Sequence, residues 1–475
     1  MTAEPLNNAA GLEAPAGGRL WRDEMRATVK LALPIALTQL GQVAMMTSDL
    51  ILIGRLGDVA IAGAALAHII LFVCFVLGMG LMSAVSPLAA QAYGAREPRM
   101  VRRALRVGLW AAVMIGAPLT VAMLGGETLL RALGQDETAA RLAGQYLMGL
   151  SWCLVPGWWF IALRGFMGAV NRPEPALWIM LAAVPANLLL AYVLIFGEFG
   201  MPQLGMIGAG IATTIVNLGM CAACLWVCYT QRPFRKFQVL GRFWRMDWAL
   251  TGKLFIIGLP IAGAFLLEYG LFAIAAILMG WIGTTALAAH QIALQIASIL
   301  FMAPFGISMA ATVRVGHAVG RRDPAGTRRA GFSAIALGAA FMAAMVVLIL
   351  ATRHVIPLAF LDANGADASA TLALASTLLA AGSTFFIADG VQTIAAGALR
   401  GLNDTRVPLL FAALSFWGVG FGTSYGLAFA ANLEAVGIWI GFTVGLGIYA
   451  LLLVWRFNAL TRHGYLPDLP GHAHA

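Results

Sequence analysis

Three carboxylates lie inside long apolar runs of the sequence, where a bilayer would surround them. They are Asp49, Glu268 and Asp389, whereas the other acidic residues fall in polar segments between such runs or near the termini. A charge at the middle of a membrane costs about 2.5 to 3.5 kcal/mol even on lenient insertion scales, so acids in such positions are usually kept for function. The pattern predicts an ion-coupled carrier.

The neighbours of two of these acids supply further groups that can bind a cation. Glu268 and Phe272 are four residues apart and share a helical face, so the ring can make a cation–π contact beside the carboxylate. Asp389, Gln392 and Thr393 share a face in the same way. Carboxylate, amide and hydroxyl oxygens suit a hard cation, so we expect Na⁺ or a proton at Glu268 and Asp389. The alternative is a structural ion pair or a neutral carboxyl, but basic residues lie toward the cytoplasmic ends of the runs.

A second polar cluster is predicted in the first half of the chain. Asp49 shares a helical face with Gln42 and Met45, and Asn187 and Asn217 are the unusual amides of the fifth and sixth apolar runs. This cluster could take a proton or a cationic substrate. The amides alone could equally make hydrogen bonds between packed helices.

Three residues are candidates for the wall of a substrate cavity. They are Met45, His290 and Gln291. The competing interpretation is that His290 and Gln291 only hydrogen-bond to neighbouring helices, and that methionine at helical spacing belongs to the core.

The composition excludes a soluble protein. Of 475 residues, 61% are hydrophobic and 11% charged, against about a quarter charged in soluble domains. Strand alternation is absent, so the sequence predicts an all-α integral membrane protein whose apolar runs are each long enough to cross a bilayer. We count twelve such runs: 28–53, 59–86, 103–125, 142–169, 175–197, 204–229, 254–282, 285–313, 328–351, 370–398, 407–430 and 434–457.

The net charge of +9 does not indicate nucleic-acid binding, because 26 of the 30 basic residues fall in alternate loops and the two terminal segments. This positive-inside asymmetry predicts that both termini are cytoplasmic. The first 25 residues lack an apolar core and a small-residue cleavage site, so we expect no signal peptide. A multi-pass protein of a bacterial-type inner membrane follows, with lipid as its surroundings.

The chain repeats itself. The segment Leu33-Pro34-Ile35-Ala36 returns 226 positions later as Leu259-Pro260-Ile261-Ala262, and several glycines and arginines follow the same offset. Six helices per repeat give two halves of the same orientation, which places a binding site between them and allows alternating access by rocking. We therefore predict two pseudo-symmetric six-helix bundles as parallel repeats. The expected division is a tail 1–27, a bundle 28–230, a linker 231–253, a bundle 254–458 and a tail 459–475.

Enzyme signatures are missing from the sequence. It contains no H-E-x-x-H, no G-x-S-x-G and no complete phosphate-binding loop, so we expect a transporter without ATP hydrolysis and without a cofactor. An intramembrane enzyme would show a catalytic pair within the spans, and a channel would not need two bundles. A flippase for lipid-linked saccharides stays a rival, although it would want a cationic cavity. We expect no obligate protein partner, and hence a monomer.

Several short motifs together resemble the multidrug and toxic compound extrusion (MATE) family, in its NorM-like branch. In chain order they are Thr47-Ser48-Asp49 ahead of Gly54, Gln91-Ala92-Tyr93-Gly94-Ala95, Glu268 with Leu271-Phe272, Ala288-Ala289-His290-Gln291, Arg314-Val315-Gly316-His317, and Asp389-Gly390-Val391-Gln392 running into Ala395-Ala396-Gly397-Ala398-Leu399-Arg400-Gly401.

The resemblance implies export of small cationic, amphipathic drug-like compounds in exchange for Na⁺ or H⁺. By the same resemblance Glu268 and Asp389 are the coupling-cation carboxylates with Phe272 beside them, and Asp49 is the acid of the N-terminal bundle. One departure is that relatives can carry two asparagines four apart on the fifth span. This chain has Asn187 but Ala191, so Asn217 is the expected substitute.

Overall fold

Apolar helices build the whole of the described chain. The structure is a computed structural model that describes residues 17–359 and 368–467, and it has no strand in those ranges. Within those ranges eleven helices are long and apolar enough to span a membrane, and a pair of helices bent by 51° brings the number to twelve when it is counted as one span. The predicted all-α fold with twelve spans is therefore confirmed. The spans are α1 Gly17–Gly54, α2 Asp58–Gly94, α3 Pro98–Leu124, α4 Glu137–Ala169, α5 Glu174–Phe196, α6 Gly205–Thr230, α7 Trp248–Ile282, α8 Thr284–Gly320, α9 Pro324–Thr352, α10 Ala368–Ala381 with Ser383–Gly401, α11 Arg406–Ala430 and α12 Glu434–Arg462.

Several helices extend beyond the apolar runs that predict them. α1 begins at Gly17, α7 at Trp248, and α12 ends at Arg462. The expected limits at 27, 253 and 458 therefore fall inside helices. The reason is that hydropathy marks the part of a helix within hydrocarbon, whereas charged residues of good helix propensity continue the helix into the interface.

The two halves repeat each other in backbone conformation as well as in sequence. Arg96 and Arg322, which are 226 positions apart, follow α2 and α8 and adopt φ of 60° and 57°. Asn171 and Asn403 follow α4 and α10 and both have φ of 59°. A left-handed residue after the last turn lets the chain leave a helix while satisfying its final carbonyls.

The two bundles pack closely on the side of the membrane where α1 begins and α12 ends, here called the terminal side. A Cβ on Gly80 of α2 would overlap the backbone of Ala262 of α7, and one on Gly306 of α8 would lie 2.9 Å from the carbonyl oxygen of Ala32 of α1. Glycines at these crossings allow the backbones to approach, as small residues do between membrane helices.

Polar contacts reinforce the same closed side. Arg314 of α8 makes a bidentate ion pair with Glu24 of α1, with N–O distances of 2.7 and 2.8 Å. Gln91 of α2 donates to the carbonyl oxygen of Gly401 at 2.9 Å. All four residues lie toward the terminal ends of their helices, so this end of the interface is sealed by charge-assisted as well as apolar contacts.

Toward the opposite side we infer a cleft between the facing helices, because residues on their facing surfaces are exposed. The face of α8 that meets α1 at Gly306 continues, at helical spacing, through the exposed Gln295 and Gln291. The corresponding face of α1 continues through Leu40 and Thr47, which are also exposed. Side chains recurring every three or four residues share a face, so these residues line the opening between the bundles.

The linker between the bundles is packed onto the first one. Phe234 and Phe237 are buried, and Phe243 stacks on Trp110 of α3 with ring centroids 5.2 Å apart. Of the linker aromatics, only Trp244, at 77% exposure, and Trp248, the first residue of α7, are exposed as an aromatic residue at the membrane interface would be. The linker is thus mostly a part of the N-terminal bundle rather than an amphipathic surface strap.

Candidate functional site: two acid clusters beside a cleft

Glu268 and Asp389 are joined through one amide. The Nε2 atom of Gln392 donates to Glu268 Oε1 at 2.9 Å and to Asp389 Oδ1 at 3.1 Å. The two carboxylate oxygens are therefore no farther apart than about 6 Å. Asp389 and Gln392 are almost fully buried, at 6% and 3% exposure, whereas Glu268 is half-buried. The face shared by Asp389 and Gln392 thus meets the acid of α7.

Aromatic rings cover this acid pair on the side away from the termini. Phe272, one turn beyond Glu268, has its ring centroid 5.2 Å from that of Phe442 and 6.2 Å from that of Phe385. Phe385 lies one turn before Asp389, on the same side of the pair. The acids are thus held beneath rings whose faces can interact with a cation.

Three arginines are buried among the described residues, Arg106, Arg164 and Arg400, and each lies nearer the terminal end of its helix than the acids do. Arg164 donates to the side-chain oxygen of Gln39, and the guanidinium of Arg400 lies 5.0 Å from the ring centroid of Phe265. No salt bridge joins any of the three arginines to an acid within residues 17–359 and 368–467. In the same ranges Glu268 and Asp389 take part in no salt bridge either.

Asp49 forms the second cluster, inside the N-terminal bundle. Asn187 Nδ2 of α5 donates to Asp49 Oδ1 at 2.5 Å, and Thr213 Oγ1 of α6 lies 2.9 Å from Asp49 Oδ2. Asp49 is only 4% exposed. Since Gln42 is the repeat equivalent of Glu268, Asp49 lies two helical turns, about 10 Å, nearer the opposite side.

The side-chain oxygen of Asn187, Oδ1, is buried and accepts no hydrogen bond. It belongs to the amide that already donates to Asp49, so an unsatisfied acceptor lies next to a buried carboxylate. Buried acceptors of this kind are costly and call for a partner such as a proton donor or a cation. The donor set at Asp49 therefore fits a positively charged ligand.

Asn217 does not replace the missing second asparagine as a direct partner of Asp49. Its Nδ2 donates to the carbonyl oxygen of Thr213 at 2.8 Å, and Thr213 itself reaches the carboxylate. Ala191 is fully buried nearby on α5. Sequence reasoning missed Thr213; the signal available was that Thr213 and Asn217 are four apart and form a polar pair on an otherwise apolar helix.

The candidates for the cavity wall separate into two groups. Met45 and His290 are buried, at 6% and 0% exposure, so their predicted position on an open wall is corrected to the bundle cores. His290 accepts a hydrogen bond from Trp439 Nε1 at 3.2 Å, which is the helix-to-helix role considered as the alternative. Gln291 is exposed on the cleft face, and Gln42 is half-buried.

The floor of the cleft carries an aromatic pair that sequence reasoning also missed. Phe72 of α2 and Tyr269 of α7 have ring centroids 4.1 Å apart, and Tyr269 directly follows Glu268. Consecutive residues of a helix point about 100° apart, so Tyr269 faces the cleft while Glu268 faces α10. Tyr269 is thus the exposed residue of α7 next to the acid pair.

Metal coordination of the zinc or calcium kind finds no support among the described residues. In the two described ranges no group of three or more His, Cys, Asp and Glu side chains is arranged to hold a metal ion.

Comparison with known proteins agrees with the internal repeat. A family model described as MatE matches residues 34–193 and 260–425, and its two matches begin 226 positions apart. Together they cover more than half of the sequence. The chain belongs to the MatE family. Both matches begin at the proline of the repeated Leu-Pro-Ile-Ala segment, so the offset found within the sequence is the one that the MatE domain follows.

Individual members of the MatE family match over nearly the whole chain. The chain is 63% identical over 463 residues to a "Probable multidrug resistance protein NorM" of Rhodopseudomonas palustris, covering 97% of each sequence. It is 56% identical over 440 residues to a protein of the same description from Bradyrhizobium diazoefficiens, covering 93% of this chain and 94% of that protein. The solved structure of the eukaryotic MATE transporter AtDTX14 has the same fold, with a TM-score of 0.82 at 21% identity, and the match covers 94% of this chain and 99% of that one. A transporter rather than an enzyme is therefore confirmed.

Proposed function

We propose that this protein is a cation-coupled antiporter that exports cationic, amphipathic drugs and toxic compounds by alternating access. The observation that carries the proposal is the pair formed by the half-buried Glu268 and the buried Asp389, which has no basic ion-pair partner in the described chain and is bridged by the Gln392 amide. The multidrug resistance named for the relatives at 63% and 56% identity supports the substrate class.

Ion entry and drug export are coupled because the two arrangements of the bundles expose the acids to different sides of the membrane. In the present arrangement the terminal side is sealed and the cleft is open on the opposite side. Entry of Na⁺ or H⁺ at Glu268, Asp389 or Asp49 favours a state that releases drug outward, and inward release of the ion resets the carrier. A ligand can shift such an equilibrium only by its differential affinity for the two states, so ion and drug are linked through the two bundles.

The walls of the cleft favour an amphipathic substrate. The residues that face it are aromatic, aliphatic or amide side chains, such as Tyr269, Leu40 and Gln291, with a carboxylate just behind the wall on each bundle. Ring faces and carboxylates attract a cation, while the apolar surface binds the rest of the molecule. A flippase for pyrophosphate-linked saccharides would instead need arginine or lysine on these faces.

The orientation in the membrane rests on the distribution of charge. Basic residues gather in the loops of the terminal side, which the positive-inside rule places in the cytoplasm. The closed side would then be cytoplasmic and the cleft would open outward from the inner membrane. We further propose that the monomer is the working unit, because each chain carries both bundles and the cleft between them.

The deciding experiment is efflux of ethidium or norfloxacin from proteoliposomes under an imposed Na⁺ gradient or an imposed pH gradient. We expect Glu268→Gln and Asp389→Asn to abolish transport driven by the coupling gradient, because each removes one carboxylate of the pair. Glu198→Gln, which changes an exposed acid in the loop after α5, is the matched control. Normal pumping by both variants under either gradient would show that the pair does not couple, and the gradient that drives the wild type identifies the ion.

A further inference from the structure

A basic cavity lies at the terminal side, far from both acid clusters. Its volume is about 430 Å³, and its lining includes the three arginines Arg96, Arg314 and Arg321 and one carboxylate, Glu97, with the aromatic residues Tyr93 and Phe237. Arg96 follows α2, Arg314 and Arg321 belong to α8, and Phe237 belongs to the linker. The cavity therefore touches both bundles and the segment that joins them.

Two of the arginines that line this cavity have no basic equivalent in the other half of the chain. The positions equivalent to Arg314 and Arg321 in the first half are Leu88 and Ala95. The corresponding place on the other side of the pseudo-symmetry axis therefore lacks these two cations. Because packing alone would treat the two sides alike, the added arginines point to a role that only one side has.

Two of the three guanidinium groups are available to a ligand. Arg314 is engaged by Glu24, but no salt bridge joins Arg96 or Arg321 to a carboxylate of the described residues, and both are exposed. The first turn of α3, which begins at Pro98, also lines the cavity. The amino end of a helix adds partial positive charge and backbone donors, which favour an anion.

We propose that this cavity binds a phosphate group, carried by an anionic lipid or by a soluble phosphate compound. Arg96 and Arg321 hold the phosphate oxygens through paired N–H donors, a geometry that guanidinium groups provide. Basic sites between membrane helices on the cytoplasmic side are where anionic lipid headgroups bind. A phosphate there contacts α8 of one bundle and the end of α2 of the other, so it stabilises the arrangement in which the terminal side is closed.

The test measures thermal unfolding of the purified protein in detergent during titration with short-chain phosphatidylglycerol, phosphatidylcholine of the same chains, or inorganic phosphate. We expect saturable stabilisation of the wild type, and a midpoint concentration at least about tenfold higher for the double variant Arg96→Ala with Arg321→Ala. Arg99→Ala is the matched control, because Arg99 is exposed in the same turn but does not line the cavity. It should behave as the wild type.

The outcomes separate the sources of the phosphate. Stabilisation by phosphatidylglycerol alone assigns the site to lipid, and stabilisation by inorganic phosphate as well assigns it to a soluble compound. Arg321→Lys, which keeps the charge, should recover part of the affinity. The proposal is overturned if no phosphate species stabilises the wild type saturably, or if the double variant responds as the wild type does. Because the assay uses no gradient and no drug, its result does not depend on the transport function.

Discussion

Replacing Gln392 by leucine gives the sharpest test of how the acid pair works. The Gln392 amide nitrogen carries two hydrogens, and they are directed at the two carboxylates. As a donor it stabilises the pair when both acids are ionised and no cation is bound. Removing it leaves that ion-free state without its donor, so Gln392→Leu should bind the coupling ion more tightly.

The size of the effect follows from the two hydrogen bonds. A hydrogen bond to a charged group contributes about 1.5 to 3 kcal/mol, and a factor of ten in affinity is about 1.4 kcal/mol. Gln392 is 3% exposed, so water replaces the lost donor poorly. The two bonds together contribute about 3 to 6 kcal/mol, so we expect ion binding to tighten by about 100-fold or more, with slower turnover because the ion is released more slowly.

The assay is the thermal unfolding midpoint of purified protein as a function of Na⁺ concentration and, separately, of pH. A ligand that binds only the folded state stabilises it by RT ln(1 + [L]/Kd), so the titration yields the affinity. Gln145→Leu is the matched control, because it makes the same change in a half-buried residue of α4 whose amide donates to neither acid. Weaker ion binding by Gln392→Leu would mean that the amide oxygen is a ligand, and unchanged binding would mean that the amide does not stabilise the ion-free pair; both refute the reasoning.

Three further changes test the second acid and the closed interface. Asp49→Asn should abolish drug efflux from proteoliposomes while leaving Na⁺- or proton-dependent stabilisation at the acid pair within about twofold; an equal loss of that stabilisation would indicate one shared site. Gly80→Leu should prevent close packing against Ala262 and reduce cross-linking between cysteines placed on α2 and α7 at the terminal side, whereas unchanged cross-linking would contradict the close backbone approach. Glu24→Gln should leave Arg314 without its carboxylate and weaken the closed state by about 1 to 3 kcal/mol, seen as a changed ratio of closed to open distances by spin-label spectroscopy; an unchanged ratio would mean that the ion pair adds nothing to closure.

Sequence reasoning reached the features that depend on periodicity within one helix. The twelve spans follow from hydropathy, and the shared face of Asp389 and Gln392 follows from their spacing of three. The contact between that face and Glu268 joins two helices, so spacing within one helix does not predict it. The only hint in the sequence was that Glu268 is an acid in an apolar run. The partners of Asp49 were harder, because Thr213 and Asn217 share a face on α6 and spacing cannot tell which of them reaches α1.

Which individual side chains are buried was the hardest feature to predict from the sequence. His290 and Gln291 are adjacent, yet the first is enclosed by Trp439 and the second is exposed on the cleft. In an amphipathic helix of a soluble protein the polar side would be outward, but in a membrane an apolar side chain can face lipid, core or cleft alike. Hydropathy therefore does not indicate which side of these helices faces the lipid, the core or the cleft.

Asp247 joins the two bundles mechanically as well as covalently. It accepts from Leu250 N as the N-cap of α7, and it also accepts from Arg103 Nε of the N-terminal bundle at 2.7 Å. The first turn of α7 is thus fixed to the bundle to which it does not belong. If the C-terminal bundle tilts, α7 becomes a lever pivoting at this end. Its 35 residues span about 52 Å at 1.5 Å per residue, so each degree of tilt moves its far end by about 0.9 Å, and ten degrees would move the rim of the cleft by roughly the width of a drug molecule.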